Sequence, residues 1–230
     1  DEDPELLLEH LDDLGTVESE CHYNVGWAWA LDSPFQWMKQ VASHFGGTRN
    51  GMAVSWPRRI TDGGGLRSQF HHVIDLAPTI LEAAGVEPPE VVNGIPQWPI
   101  EGTSMAYTFD TPEAASRRRA QYFEMLGNRG SYHDGFMASC FHGRVPWVRF
   151  AGQPFDGPQE RWELYDITDD FSQSRDLSDI QPERLIEMRD LLMVTGVAHA
   201  GAHVIAGLDE LEHNVRADVA RSARYGNRAL

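Results

Sequence analysis

The stretch from Val73 to Gly85 constrains the fold more than any other part of this sequence. Two apolar β-branched residues, Val73 and Ile74, lead into Asp75, a residue type that favours the N-cap of a helix. The proline three positions later is tolerated in a first helical turn, and Gly85 is typical of the residue that ends a helix. The segment therefore predicts a step from a strand into a helix.

The first part of the chain predicts three further elements. Leucines at helical spacing between Leu6 and Leu14, followed by Gly15, predict an amphipathic opening helix. The aromatic stretch of residues 16–34 has no regular period and predicts a packed loop. Residues 52–56, which are short, apolar and bracketed by glycine and proline, predict a buried strand.

The second part of the chain is predicted to form a small antiparallel sheet. Residues 87–112 are rich in proline and glycine and predict an ordered, winding connection. Turn residues separate three strand-like runs at positions 121–125, 130–138 and 162–167, which suits a sheet with one buried face. Residues 182–193 carry an apolar stripe with a proline near the start and predict a helix. The fold class is therefore mixed α/β, followed by a small antiparallel-sheet subdomain with a packed helix.

Composition and charge exclude several classes of function. The chain has 230 residues and a formal net charge of -16, which argues against a general binder of nucleic acid or of anionic membranes. No apolar run is long enough to span a bilayer, and the first residues lack the features of a signal peptide. We therefore expect neither a nucleic-acid nor a membrane partner, and a location that is cytoplasmic or, in a longer precursor, periplasmic.

One lysine, Lys39, stands among 19 basic residues, and the others are all arginine. Lys39 precedes the glycine pair Gly46–Gly47 within a segment that runs to Pro57. Because an ammonium is a compact, rotatable charge and a guanidinium is a planar fork, the two groups are not interchangeable where an anion is bound. A coding bias against lysine is the alternative explanation for the presence of a single lysine.

Several separated segments resemble one protein family, and they occur in the family's order. These segments are residues 37–57, Gln69 to Leu81, Asn93-Gly94-Ile95 with Pro99 to Gly102, Gln121 to Asp134, and Trp162 to Ile167. Together they resemble the carboxy-terminal part of a bacterial arylsulfatase of the alkaline-phosphatase-like superfamily. The resemblance implies that residues 1–112 form the late part of the sulfatase α/β domain and that residues 113–193 form the sheet and helix subdomain.

The resemblance implies hydrolysis of an aryl sulfate to a phenol and sulfate. In such enzymes a cysteine within Cys-x-Pro-x-Arg is oxidised to formylglycine, and a divalent cation, calcium in this reading, polarises the sulfate. A lysine ahead of a glycine pair contacts the sulfate, and Lys39 occupies that position. We also expect His44, His22 and Trp27 to line the substrate pocket, although a hydrogen-bonded structural role is the alternative for His44.

The nucleophile and the metal ligands of the family are not found in this sequence. Cys21 lacks the proline and the arginine of the motif, and Cys140 has histidine in place of the proline, so both are predicted to be small buried thiols. The family's aspartate pairs fall in segments that would precede Asp1. We therefore predict no metal site, no activity of the chain alone, and a missing amino-terminal sulfatase portion as a partner.

Two alternatives to this function stay open on sequence grounds. The chain could be a truncated relative that acts as a non-catalytic binding or accessory module, or part of a phosphoesterase of the same superfamily. Residues 194–230 match no family pattern. They carry an apolar stripe from Val204 to Val219, which indicates either an added amphipathic helix or a tail translated after a frameshift.

Overall fold

A computed structural model describes residues 4–19, 24–143 and 161–197. Six α-helices and six strands occur in these ranges. In chain order they are α1 (Pro4–Glu9), α2 (Val25–Asp32), α3 (Phe45–Thr48), α4 (Leu76–Ala84), β1 (Val91–Val92), β2 (Ile95–Pro96), α5 (Tyr107–Asp110), β3 (Ala120–Met125), β4 (Asn128–His133), β5 (Phe136–Cys140), β6 (Glu163–Asp166) and α6 (Pro182–Val197). Short 3₁₀ helices cover Leu11–Asp13 and Val73–Asp75. No helix of the described residues is long and apolar enough to cross a membrane.

The structure confirms the mixed α/β class and the small antiparallel sheet. Its strand order is β3-β4-β5-β6, and β5 pairs antiparallel with β6 from Phe136↔Asp166 to Ser139↔Glu163. Two-residue turns join β3 to β4 and β4 to β5, and both residues of each turn have a positive φ. This geometry matches the twist of paired strands. The run predicted at 130–138 is thus two strands that meet at Asp134–Gly135.

The chain forms two compact units. The first contains the described residues up to Asn50, with residues 122–131, 135–143 and 161–188. The second contains residues 51–121 and 132–134, with the described residues from Arg189 onward. The limits of these two units differ from the boundary at residue 112 that we predict from the sequence. That domain boundary stays a prediction.

The core of the first unit lies between the sheet and the segment that carries Lys39. Arg184 of α6 packs its guanidinium over the Phe136 ring at 5.0 Å, and Met188 of the same helix is fully buried. The buried apolar residues of this unit are Met38, Val41, Ala42, Phe45, Met137, Ala138, Cys140, Trp162, Leu164, Tyr165, Leu177 and Met188.

The second unit is organised around a buried carboxylate and a small apolar cluster. Met105, Ala106 and Phe109 form the cluster, against which Trp56 and Ile60 pack. Asp75 is fully buried and accepts hydrogen bonds from the backbone N–H groups of His72 at 2.9 Å and Thr103 at 2.7 Å. The Arg118 guanidinium pairs with both carboxylate oxygens of Asp75.

The hydrogen bonds and ion pairs of Asp75 keep its carboxyl group ionised. Burial by itself would raise the pKa of the Asp75 carboxyl. The His71 imidazole, the Arg118 guanidinium and the two backbone N–H groups outweigh burial and hold that pKa well below its usual range. Asp75 is therefore a buried anion that joins the start of α4 to the segments around Thr103 and Arg118.

The helix predicted after Asp75 is present, but the strand before it is not. Val73 and Ile74 lie in a 3₁₀ turn, while α4 ends at Gly85 with a φ of 65°, as its glycine predicts. The strand predicted at residues 52–56 is also wrong, because these residues are irregular and Met52 is 55% exposed. Strand geometry requires a hydrogen-bonded neighbour, and none of the described strands pairs with either segment.

Three further sequence predictions are corrected by the observed helices and hairpin. The aromatic stretch of residues 16–34 contains α2, whose N-cap residue Asn24 accepts hydrogen bonds from the N–H groups of Gly26 and Trp27. This helix lacks a clear apolar stripe, which is why periodicity did not reveal it. The winding connection contains a hairpin of β1 and β2, and Asn93 and Gly94 supply its positive-φ turn. The opening helix is shorter than predicted and ends at Glu9.

Candidate functional site

Lys39 lies at the outer edge of a tight loop, residues 36–47, which we call the lysine arch. The arch closes on itself, because the N–H of Gly46 donates to the carbonyl of Gln36 at 3.0 Å and the N–H of Val41 donates to that of Met38 at 3.1 Å. Met38 and Val41 are buried, whereas Lys39 between them is exposed. The arch thus turns the ammonium outward from an apolar base.

The backbone on both sides of Lys39 is left-handed. Trp37 has a φ of 64° and Gln40 has a φ of 73°. A non-glycine residue in this region is disfavoured by roughly 1–2 kcal/mol, so the surrounding contacts must hold it there. Strained backbone of this kind is enriched at functional sites, which marks the arch as a candidate.

The glycine pair noted in the sequence has a steric role. A Cβ on Gly46 would lie much closer than 3.0 Å to the carbonyl oxygens of Gln36 and Trp37, and a Cβ on Gly47 would meet that of Val41. Real Cβ atoms essentially never approach other atoms this closely. Only glycine therefore lets the start of α3 pack against residues 36–41 of the arch.

Two buried amide side chains anchor the arch to the rest of the first unit. The Gln173 side chain accepts a hydrogen bond from the N–H of Phe45 at 2.7 Å and donates to Ser139 Oγ at 3.1 Å. The backbone carbonyl of Gln173 accepts a hydrogen bond from the side chain of Gln36. The Asn128 amide reaches the carbonyl of Gln40 at 3.5 Å. Sequence reasoning missed Gln173, because its partners in the arch are more than 120 positions away and leave no local pattern.

Lys39 has no carboxylate partner among the residues that the structure describes. This is notable in a chain with 35 acidic residues, since an exposed lysine there has many possible partners. The ammonium can therefore meet an external anion without first breaking an ion pair with any of the described residues.

His44, the second predicted site residue, lies inside the protein and both ring nitrogens have internal partners. Its Nδ1 lies 2.9 Å from Ser43 Oγ, and its Nε2 lies 3.2 Å from Glu163 Oε2. The Tyr165 hydroxyl donates to the same Glu163 oxygen at 3.1 Å, and the His44 contact holds the pKa of the Glu163 carboxyl below its usual range. The arrangement matches the structural alternative given above for His44, and substrate contact stays a prediction.

Trp27 lies on α2 and is 66% exposed, whereas His22 and Cys21 lie outside the described residues. The neighbouring Trp29 stacks on Trp37 with ring centroids 5.7 Å apart, and Trp37 stacks on Phe141 at 4.2 Å. Two positions on a helix differ by about 200° around the axis, so Trp27 and Trp29 lie on different faces of α2. The three-ring stack is a feature that sequence reasoning missed, although the aromatic composition of the segment was visible.

The other candidate site residues have contacts inside the protein. Cys140 is a fully buried thiol, as predicted from its missing motif, and its Sγ accepts a hydrogen bond from the Arg129 guanidinium at 3.6 Å. The Arg49 guanidinium lies over the rings of Phe35, Phe45 and Phe171 at 5.2–5.8 Å. Within the described ranges, no group of three or more histidine, cysteine or acidic side chains could hold a metal ion. The residues described do not fit the divalent cation that the sulfatase resemblance implies.

Comparisons with known proteins give a partial likeness. No family model matches this chain. The crystal structure of Ps i-CgsB is similar with 22% identity and a TM-score of 0.47, covering 68% of this chain and 30% of that chain. BT33336S-sulf, solved in work on glycosaminoglycan metabolism by Bacteroides thetaiotaomicron, has 15% identity and a TM-score of 0.46, covering 66% and 30%. BT4656, in complex with its substrate D-glucosamine-2-N,6-O-disulfate, has 21% identity and a TM-score of 0.42, covering 61% and 26%.

These likenesses concern the fold alone. Over the part that matches, the chain is similar to sulfatase structures, and it spans less than a third of the length of each of the three.

Proposed function

We propose that this chain is part of a sulfuric ester hydrolase that acts on aryl sulfates, and that Lys39 contacts the sulfate group. The observation that carries the proposal is the lysine arch. It holds one exposed ammonium, without a carboxylate partner among the described residues, at the position that the arylsulfatase resemblance assigns to a sulfate-binding lysine.

The physical role of Lys39 follows from its charge and its setting. As a sulfate ester bond breaks, negative charge grows on the leaving oxygen and stays on the sulfate group. A fixed ammonium beside those oxygens stabilises that charge, and the effect grows where water is excluded. The left-handed residues Trp37 and Gln40 fix the backbone around Lys39, which reduces the reorganisation needed during the reaction.

The chain alone is proposed to be inactive, because neither a formylglycine motif nor a cluster of metal ligands occurs in its described residues. The amino-terminal portion of the family would supply both groups. Apolar surface in the second unit supports a missing covering segment. Val73 is 68% exposed, Ile80 of α4 is 64% exposed and Ile95 of β2 is 65% exposed, so these elements leave apolar side chains in water.

That same apolar surface favours the second candidate function, a non-catalytic module that binds a partner. The two candidates differ in what Lys39 does. In the hydrolase its ammonium is required for turnover after the partner is supplied. In the accessory module the partner binds but no sulfate ester is hydrolysed.

The test is turnover of an aryl sulfate with added calcium, by the chain alone and by the chain mixed with an amino-terminal sulfatase half that carries Cys-x-Pro-x-Arg. We expect activity only in the mixture, and a loss of about 10²- to 10³-fold in kcat for Lys39→Ala, the range for removal of one charge-stabilising donor. Arg58→Ala is the matched control, because Arg58 is also an exposed cation, and it should change kcat less than twofold.

Four results would contradict the proposal in different ways. Metal-dependent turnover by the chain alone would show that no partner is needed. Full activity of the Lys39→Ala mixture would remove the lysine from the reaction. Faster turnover of the matched aryl phosphate would assign the site to a phosphoesterase, and a stable but silent mixture would assign the chain to the accessory class.

A further inference from the structure

The stack of Trp29, Trp37 and Phe141 ends in an open ring next to the lysine arch. Trp37 is partly buried between its two neighbours, with an interplanar angle of 18° to Phe141 and 30° to Trp29. Trp29 is the last ring of the stack and remains 47% exposed. Tryptophan is usually largely buried, so an exposed indole that extends an ordered stack is a candidate contact for a ligand.

The stack is held by backbone as well as by ring contacts. Trp37 keeps a left-handed backbone conformation, which a bulky residue adopts only when its surroundings determine it. The Trp37 carbonyl lies against Gly46, where a side chain would not fit. The Phe141 ring stacks on one face of the Trp37 indole. A platform that is already ordered loses little side-chain entropy when it binds a flat ligand.

Trp37, the middle ring of the stack, and Lys39 belong to one short stretch of backbone. Trp37 and Lys39 are two residues apart, so their Cα atoms are separated by no more than roughly 7.6 Å. An apolar surface and a single positive charge at this spacing complement a molecule with an apolar ring and one anionic substituent.

We infer that Trp29, at the end of the stack, binds the ring of an aryl sulfate whose sulfate group contacts Lys39. This inference rests on the proposed function for the Lys39 contact, and it adds the group that recognises the rest of the substrate. Trp29 thereby selects esters of ring alcohols over esters of small alcohols. Trp27, on another face of α2, takes no part in this contact.

The inference is tested by titrating the full chain with four probes and following its indole N–H signals by NMR. Phenyl sulfate has both the ring and the anion, cyclohexyl sulfate has a non-aromatic ring, methyl sulfate has only the anion and phenol has only the ring. We expect phenyl sulfate to bind roughly three- to tenfold more tightly than methyl sulfate, with cyclohexyl sulfate between them. Lys39→Gln should weaken all three sulfates by a similar factor and leave phenol unchanged.

Substitution of the platform separates the ring contact from the charge contact. Trp29→Leu should bring phenyl sulfate to within twofold of methyl sulfate, while Trp29→Phe, which keeps an aromatic ring, should retain most of the difference. Trp98→Leu is the matched control because Trp98 is 82% exposed in the second unit, and it should change no affinity. Far-UV circular dichroism of each variant establishes that it is folded.

Three different results would each overturn a different part of the inference. Equal binding of phenyl sulfate and methyl sulfate, both weakened by Lys39→Gln, overturns the ring contact and leaves the proposed role of Lys39 in place. Equal binding of phenyl sulfate and phenol, unaffected by Lys39→Gln, overturns the sulfate contact and with it the proposed function. Loss of the preference in both Trp29→Leu and Trp98→Leu overturns the assignment of the ring to Trp29.

Discussion

Gly46→Ala should destabilise the lysine arch, although the same substitution in an ordinary helix would stabilise it. Alanine is favoured over glycine in a helix interior by about 1 kcal/mol, and Gly46 lies in α3. In this structure the added Cβ would lie much closer than 3.0 Å to the carbonyl oxygens of Gln36 and Trp37. Since ordinary van der Waals contact begins at 3.4 Å, these two carbonyl oxygens would have to move away from the added Cβ by more than 0.4 Å.

The net effect can be worked from these opposing contributions. Overpacking against rigid backbone costs about 1–3 kcal/mol, and loss of the hydrogen bond from Gly46 to Gln36 costs about 1 kcal/mol. The helical preference of alanine offsets about 1 kcal/mol of this. We therefore expect the free energy of unfolding to fall by about 2 kcal/mol.

The assay is urea unfolding followed by tryptophan fluorescence and by circular dichroism, with midpoint and slope both fitted. Gly51→Ala is the control, because a Cβ at Gly51 would meet nothing within 4 Å and its φ is not positive. It should leave the free energy of unfolding within about 0.5 kcal/mol of the parent. If Gly46→Ala were as stable as Gly51→Ala, the steric account of the glycine pair would be refuted.

Two further predictions concern buried charge. Asp75→Asn should lower the free energy of unfolding by about 3 kcal/mol in the same urea assay, because it leaves the largely buried Arg118 guanidinium without its counter-charge. Glu163→Gln should flatten the dependence of stability on pH. The pKa of Glu163 is lowered by His44, so its stabilising contribution is present above about pH 4.5 and is lost as the pH falls through the lowered pKa.

Each of these predictions has a control within the chain. Asp62 pairs with Arg67 but is 42% exposed, so Asp62→Asn should lower stability much less than Asp75→Asn does. An equal loss for Asp62→Asn and Asp75→Asn would mean that burial does not decide the effect. For Glu163→Gln, unfolding is measured from pH 3 to pH 6, and an unchanged slope would show that the pair with His44 does not couple protonation to folding.

The sequence predicted elements whose signals are local. The end of α4 follows from Gly85, and the strands β3 to β6 follow from short apolar runs between turn residues. Asp75 precedes α4, but its side chain does not cap this helix and instead accepts hydrogen bonds from the N–H groups of His72 and Thr103. The Asn93–Gly94 dipeptide carried an equally local hairpin signal that was interpreted only as a connection. These elements could be predicted because their determinants lie within a few residues of each other.

Predictions failed where the answer depended on distant partners. Residues 52–56 have the composition of a buried strand, but a strand exists only when another strand supplies its hydrogen bonds. Similarly, Lys39 and the glycine pair could be singled out from the sequence, whereas the contact of Phe45 with Gln173 could not. The candidate site was therefore predicted as a segment, and its supporting residues came only from the fold.

The anchoring of the arch by Gln173 also has a consequence for synthesis. Gln173 follows Phe45 by 128 positions and Gln36 by 137, so the arch leaves the ribosome long before the amide that fixes it. At roughly 5–20 residues per second, the delay between Phe45 and Gln173 is roughly 6–26 s. During that interval the nascent arch lacks its anchor, and any product that stops before Gln173 would release Lys39 on an unfixed loop.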